Sequence, residues 1–350
     1  MIQGHSRTEA NYRAVQTDSS SSLKDFSMDR KKYHKKYVLR ETVEDKDNQA
    51  VTIGKIVETL LLEPHEFDNR FHMSACASTP TGLMLDFVEA LYRLTKEATD
   101  QFGVITKRFD ELSKDAYIES GYKIKIEQVI NKFIDTDAEI YYNEIRKVRS
   151  QNLIVVNSND IANSEKIIHE LKNNFATKDI VNLTNSSRYT ILNQYQMFSY
   201  KVDDHIFKSM FDKLVADHHE RTLQVYDLKC TWNVENFYGE YYLYRRAYIQ
   251  GYLYYRATVE LTNDINSEWY GYTAKYPEFI VCDSTNYYNP LIYTIDEIDI
   301  SNAYLGFEHK GRKYPGVKDS IEDLKWALEN GVWNISRKNY ESKGILNLRG

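Results

Sequence analysis

A chain of 350 residues, 42% hydrophobic and 27% charged with only 14 Gly and 5 Pro, has the make-up of a globular protein able to bury a substantial core. Its formal net charge of −6 excludes a generally sticky nucleic-acid coat, but leaves room for a local basic patch or a metal to engage phosphate. The three cysteines, Cys76, Cys230 and Cys282, are far apart and show no C-x-x-C spacing, which argues for a reducing compartment and against structural zinc or an iron–sulfur cluster. The 29 tyrosines point to amphipathic packing or stacking surfaces more than to any one chemistry. No run of 18 apolar residues and no apolar leader core is seen, so the expectation is a cytoplasmic protein with no membrane partner.

In chain order, residues 1–18 are polar and expected to form a flexible tail, with 19–350 forming a single domain. Ser20, Ser21 and Ser22 can cap a helix whose apolar stripe would be Leu23, Phe26, Tyr33 and Tyr37. That stretch also holds the densest positive run, with Arg30, Lys31, Lys32, His34, Lys35, Lys36 and Arg40. Such a run is either a solvated helix face or a surface for phosphate. The spacing of Ile53, Ile56, Val57, Leu60 and Leu61 predicts a helix over 51–63, ended by Pro64. Glu58 lies beside that stripe and is expected to be partly buried. Helices over 83–95 and 125–149 fall within a mainly helical insertion, 83–175. A short strand over 152–156 and a helix over 164–174 follow. The pattern then predicts a strand over 191–202, a long aromatic helix over 240–259, a strand-like stretch over 269–282 and a last helix over 320–330.

The most informative stretch is 223–231, LQVYDLKCT. Its apolar and aromatic residues suit a short covered strand. Asp227 and Lys229 interrupt the pattern and, by strand alternation, point the same way, roughly 7 Å apart. A charge is costly to bury unless it is paired or holds a metal. One reading is a satisfied ion pair near a strand end. The other begins with the preceding strand candidate, 205–215: a hairpin turning near His219 and Glu220 places Asp212 opposite Asp227, with Cβ atoms about 5 Å apart. A register slip of one residue would put Asp212 on the other face. With that register, Asp212, Asp227 and Lys229 form a small acidic metal site with an ammonium beside it. Gln250 and Tyr254, one helical turn apart, either pack or orient Lys229 or a phosphate. Arg245 and Arg246, one turn earlier, are candidate phosphate contacts.

These residues resemble the PD-(D/E)XK nuclease superfamily and, within it, the phage and prophage exonucleases of the RecE (exonuclease VIII) type. Residues 21–37 (SSLKDFSMDRKKYHKKY) look like the family's N-terminal entry segment, and 54–67 (GKIVETLLLEPHEF) are similar to its first conserved helix. Residues 208–212 (KSMFD) and 226–231 (YDLKCT) resemble its catalytic strands, and 250–254 (QGYLY) its Q-x-x-x-Y motif. Glu58 stands where these relatives usually carry His, and Cys230 where Thr is usual. The iron–sulfur cysteines of some relatives are absent.

The resemblance implies an α/β (α+β) fold with a central mixed sheet flanked by helices, the catalytic sheet and helix lying in 189–283. It implies a nuclease that hydrolyses DNA phosphodiester bonds with Mg²⁺ or Mn²⁺. Asp212, Asp227, the Leu228 carbonyl and Glu58 are the expected metal ligands, and Lys229 completes the catalytic set. Gln250, Tyr254, Arg245, Arg246, Lys31, Lys32, Lys35 and Lys36 are the expected DNA contacts. The function implied is 5′-to-3′ digestion of double-stranded DNA ends, leaving single-stranded tails for phage-type recombination. A single-strand annealing protein is the implied partner and a homo-oligomeric ring the implied assembly. An endonuclease of the same fold and a catalytically silent DNA-binding or assembly protein are the alternatives.

Overall fold

The computed structural model describes residues 9–41, 49–76, 78–151, 153–287 and 289–345. The chain divides into two compact units: the larger joins 1–47 to 169–350, and the smaller is 48–168. This differs from the single domain expected over 19–350. The chain leaves the larger unit after the N-terminal helices, builds a second apolar core, and returns within the helix Ser158–Asn173.

The smaller unit is mainly helical. Phe87, Val88, Leu91, Leu112, Val129, Phe133 and Ile145 form its main core. The helix Gln49–Leu62 buries Ile53, Ile56 and Val57, and Ile56 meets Phe71 and Val156 of a short two-stranded parallel sheet. The single helix expected over 125–149 is two, Ile126–Phe133 and Asp137–Val148, broken at Asp135, whose φ is +57°. Thr136 caps the second helix through the Ala138 N–H, so a local cap outcompetes continuous periodicity.

The larger unit holds the helix α1 (Ser20–Met28) and a mixed sheet. Its principal strands are β1 (Tyr189–Val202), β2 (His205–Asp217), β3 (Thr222–Thr231), β4 (Glu278–Asp283) and β5 (Leu291–Thr294). These lie side by side in the order β1-β2-β3-β4-β5. All neighbours are antiparallel except β3 and β4, which run parallel. The helix that makes the β3–β4 crossover is α2 (Ala247–Asn263). A further helix, α3 (Val317–Asn330), matches the expected last helix.

Ser19 caps α1 with a reciprocal Ser19–Ser22 capping box, one residue before the predicted serines. Leu23, Phe26 and Tyr33 are buried, as their stripe predicts. The expected loose tail is docked where it is described, while residues 1–8 lie outside the described residues. A helix spans Glu9–Ala14, Asp18 bridges to Phe207, and the Lys208 ammonium donates to the Tyr12 and Val15 carbonyls at 2.7 Å each. Once buried, Lys208 requires acceptors, and the backbone of this short segment supplies them.

The long aromatic helix expected over 240–259 is also divided. A π-helical turn, Tyr238–Tyr244, precedes α2, and Arg246 at φ +57° breaks the path between them. Its guanidinium donates to the Ser27 carbonyl at the end of α1 at 2.6 Å, which fixes the break. From there α2 is buried on nearly all sides: Tyr248, Ile249, Leu253, Ala257 and Leu261 are each at most 1% exposed. A Cβ at Gly251 would lie 3.1 Å from Ile295 Cδ1 and 3.6 Å from Phe279 Cζ. Glycine there permits the close approach of α2 to the sheet side chains, and its neighbour Gln250 faces the site. Among the described residues, no helix is long and apolar enough to cross a membrane.

Candidate active site

The hairpin predicted from sequence forms in the predicted register. Its ladder starts at Asp217↔Thr222, on either side of a turn at 218–221, and ends at Lys213↔Tyr226. The next pair outward is Asp212 and Asp227, just past the last rung. There β3 changes partner: from Tyr226↔Glu278 to Thr231↔Asp283 it pairs with β4 instead. Asp212 is also skipped in the β1–β2 ladder, which passes from Lys213↔Asn193 to Phe211↔Tyr195. The skipped β1 residue, Gln194, has φ +49°.

That irregularity changes the phase of β2. Phe207 and Phe211 precede it and Leu214 and Ala216 follow it, yet all four lie in one core. An unbroken strand would have sent these odd and even residues to opposite faces. Asp212 and Asp227 thus keep the expected register but stand one step beyond the ladder, not on a rung of it. Asp212 turns its carboxylate toward β3, where Oδ2 accepts the Leu228 N–H at 2.8 Å. A side chain thus occupies a place where a regular ladder would have put a backbone carbonyl.

Asp227 is 1% exposed. Its Oδ1 accepts from Gln250 Nε2 at 2.7 Å. Its Oδ2 forms an ion pair with the Lys229 ammonium and receives no hydrogen bond of ordinary geometry among the described residues. Lys229 also lies 3.5 Å from the Leu228 carbonyl. Gln250 gives its second N–H to Tyr254 Oη at 2.9 Å, and that hydroxyl donates to the Met210 carbonyl at 2.7 Å. The Tyr254 ring stands edge-on to Phe211, centroids 5.1 Å apart. Burial raises the Tyr254 phenol well above its ordinary value, and the charges of Asp227 and Asp212 raise it further. Both carboxylates therefore act on one buried hydroxyl. The direct partners of Gln250 and Tyr254 are Asp227 and the β2 backbone.

Lys24 of α1 was not among the residues singled out from sequence. Its ammonium donates to Gln250 Oε1 at 3.2 Å. Burial pushes its pKa down to about 8, helped by Lys229 and Arg245 and opposed by Asp227 and Asp25. It follows Leu23 in the capped helix, so apolar periodicity assigns it no role. The usable signal was a charged residue flanking a buried stripe.

The expected DNA contacts fall into groups. Lys31 and Lys35 are exposed, whereas Lys32 and Lys36 lie 3.2 and 3.6 Å from Asp25. Arg245 stacks over Tyr241 and approaches Glu240 at 3.3 Å. Arg246 is directed into the protein at Ser27, where burial lowers its pKa. Glu58 is half-buried on Gln49–Leu62 and belongs to the smaller unit, whereas Asp212, Asp227, Lys229, Gln250 and Tyr254 all belong to the larger one.

Among the described residues no group of three or more His, Cys, Asp or Glu side chains is placed to hold a metal. The hard oxygen donors at the end of the ladder are the Asp212 and Asp227 carboxylates and the Leu228 carbonyl. Mg²⁺ commonly binds through one or two carboxylates and keeps several waters, so this set fits it. Asp227 Oδ2 is paired with the Lys229 ammonium, and a carboxylate oxygen keeps a further lone pair that such an ion could use.

No family model matches the chain, and no curated protein does. Among solved structures it is similar to one from Eubacterium rectale described as a "putative exonuclease", with a TM-score of 0.46 and 12% identity over 98% of this chain and 89% of that one. A likeness at that score and identity carries no inference about chemistry.

Proposed function

We propose that this chain is a metal-dependent nuclease that hydrolyses DNA phosphodiester bonds, acting as an exonuclease on double-stranded ends, 5′ to 3′, and leaving single-stranded tails. What supports the reading is one observation: where the β2–β3 ladder ends, Asp212 accepts the Leu228 N–H while the preceding residue of β3, Asp227, is buried, held by Gln250 and paired with Lys229. Burying this many charged and polar groups gives a poor return in stability compared with apolar packing. Their retention calls for chemistry.

In this reading Asp212, Asp227 and the Leu228 carbonyl would hold Mg²⁺ or Mn²⁺, which when bound neutralises phosphate charge and acidifies an attacking water. Lys229 places a positive charge where negative charge develops on the phosphate oxygens. Gln250 fixes the Asp227 carboxylate by holding Oδ1, which leaves Oδ2 for the reacting side. Tyr254 anchors Gln250 to β2, so the two strands that part at the site keep a fixed spacing. Lys31 and Lys35 would supply phosphate contacts. A single-strand annealing partner, a ring assembly, a host-cell cytoplasmic setting and a role in phage-type recombination belong to the same proposal.

The test is digestion of linear duplex DNA with Mg²⁺, with Mn²⁺ and with chelator, alongside covalently closed circles. The expected result is metal-dependent release of mononucleotides from linear DNA and no action on closed circles. Cutting of closed circles at the linear rate would replace the exonuclease with an endonuclease, and no cleavage with either ion would remove the nuclease reading. Glu58→Gln tests the remaining expected ligand, since unchanged apparent metal affinity would take Glu58 out of the set.

A further inference from the structure

The polar groups around Gln250 form a chain whose direction is set at its ends. A lysine ammonium can only donate, whereas a carboxylate and a backbone carbonyl can only accept. Lys24 donates to Gln250 Oε1, Gln250 donates to Asp227 Oδ1 and Tyr254 Oη, and Tyr254 donates to the Met210 carbonyl. A glutamine amide can rotate by half a turn and exchange its oxygen for its nitrogen. Rotated, Gln250 would set its oxygen against the Asp227 carboxylate and its N–H groups against the Lys24 ammonium. Tyr254 alone would not prevent this, because a hydroxyl can donate as readily as accept. Of the groups touching Gln250, Lys24 and Asp227 are the two that impose a direction.

We propose that Lys24 is a positioning residue of the nuclease site, its ammonium fixing the Gln250 amide in the orientation that holds Asp227. The proposal rests on the nuclease reading above and adds a third element to the site: α1 contributes through Lys24 what β3 and α2 alone do not. Its setting supports the assignment. Lys24 is faced by Lys229 and Asp227 from β3, by Asp25 from its own helix and by Arg245 from the segment before α2. A lysine kept beside two other cations, and pushed down to about 8 mainly by burial, is poorly explained as a solvated surface charge.

The experiment is a double-mutant cycle, Lys24→Met and Gln250→Leu, read as kcat and KM on linear duplex DNA, with Lys24→Arg as the conservative control. Outer-shell partners of metal-site residues typically matter by about 10- to 100-fold. The expected result is a fall in kcat of about tenfold or more for Lys24→Met, with KM and the salt dependence of DNA binding unchanged. Lys24→Arg should recover most of the loss, and Lys24→Met should cost little further once Gln250 is Leu. Losses that multiply in the double variant, or a raised KM with a flatter salt dependence, would overturn it, since Lys24 would then touch DNA itself. A second readout needs no activity: the ¹⁵N-labelled side-chain amide of Gln250, assigned by its loss in Gln250→Glu. It should be sharp and slowly exchanging in the wild type and in Lys24→Arg, and broadened in Lys24→Met. An unchanged amide signal in Lys24→Met refutes the positioning role. Failure of the wild type to cleave DNA removes the nuclease reading instead, and the amide signal still decides whether Lys24 orients Gln250.

Discussion

The two ends of the β2–β3 hairpin treat their aspartates in opposite ways. At the turn, Asp217 sits beside the 44% exposed Arg188 side chain at 2.8 Å, and its Oδ1 accepts the His219 and Glu220 N–H groups. The ladder there is complete, and the carboxylate does what a turn requires anyway. At the other end the ladder stops, β2 is skipped by β1 at Asp212, and an almost fully buried Asp227 is held by a glutamine and a lysine. Water screens the first pair, so it adds little to stability. The second group has been taken out of water, and removing one of its members leaves another uncompensated. Aspartate in a strand is therefore not a signal by itself. The signal is aspartate where the ladder fails, with a lysine two residues along the same strand as its counter-charge.

Charge removal at each end should break this comparison most visibly in activity. Asp227→Asn keeps the shape and an acceptor for Gln250 but removes a carboxylate charge. Cleavage should fall by roughly 10²- to 10³-fold, the scale seen when one preorganised charge-stabilising group is lost. Circular dichroism should show the fold retained, because Lys229, 22% exposed, can turn to solvent. Asp217→Asn at the turn should leave cleavage within about twofold, with both rates taken from the same linear-DNA assay. Equal losses at the two ends would mean that the distinction between them is wrong.

DNA binding should separate the basic residues in the same manner. Lys31 and Lys35 are exposed, while Lys32 and Lys36 flank Asp25. Each phosphate neutralised adds about 0.9 to the slope of log affinity against log salt. Lys31→Glu with Lys35→Glu should therefore lower that slope by up to about two. Lys32→Ala with Lys36→Ala should lower it less, since those charges are already partly balanced. Fluorescence anisotropy with a short duplex across a salt series measures both.

Stability should respond at the open end even without substrate. Tyr254→Phe removes the donor to the Met210 carbonyl and one acceptor of Gln250 while keeping the packing against Phe211. Leaving buried polar groups unsatisfied costs about 1–3 kcal/mol. Urea denaturation should show a loss of that size. A neutral result would mean that water replaces the hydroxyl and that the strand spacing does not depend on Tyr254.

Much of this site was legible because short-range rules govern it. Alternation identified β3, the polar run 217–221 located the turn, and counting outward from it matched Asp212 to Asp227. The i, i+4 spacing put Gln250 and Tyr254 on one face. What could not be read has a physical cause in each case. The phase change at Asp212 depends on Gln194, a residue of β1 whose positive φ no local pattern announces. The break at Arg246 depends on a carbonyl more than 200 residues away, at Ser27. Lys24 reaches Gln250 across 226 residues, and no periodicity links them. The division of the chain at 47/48 and 168/169 was missed because a long helix, Ser158–Asn173, crosses the second boundary without a linker.

The smallest expected effect lies at the turn and concerns pH. Asp217 is held down at about 2, first by its hydrogen bond from Arg188 and then by the Glu220 and His219 N–H groups, against an ordinary value of 3.8. A carboxyl whose folded value is depressed contributes stability above its unfolded value and loses it as pH falls toward the folded one. The contribution of Asp217 should therefore be complete above about pH 5 and fade between about 4 and 2. Asp217→Asn removes the titrating group, so the difference in melting temperature between wild type and variant should be constant from pH 5 to 7 and shrink below pH 4. The shrinkage should be modest, because Arg188 is exposed and solvent screens the pair. Added salt at pH 6 should reduce the same difference. A difference that widens on acidification would mean that Asp217 is stabilised in its protonated form, and the contrast between the screened turn and the buried open end would then be lost.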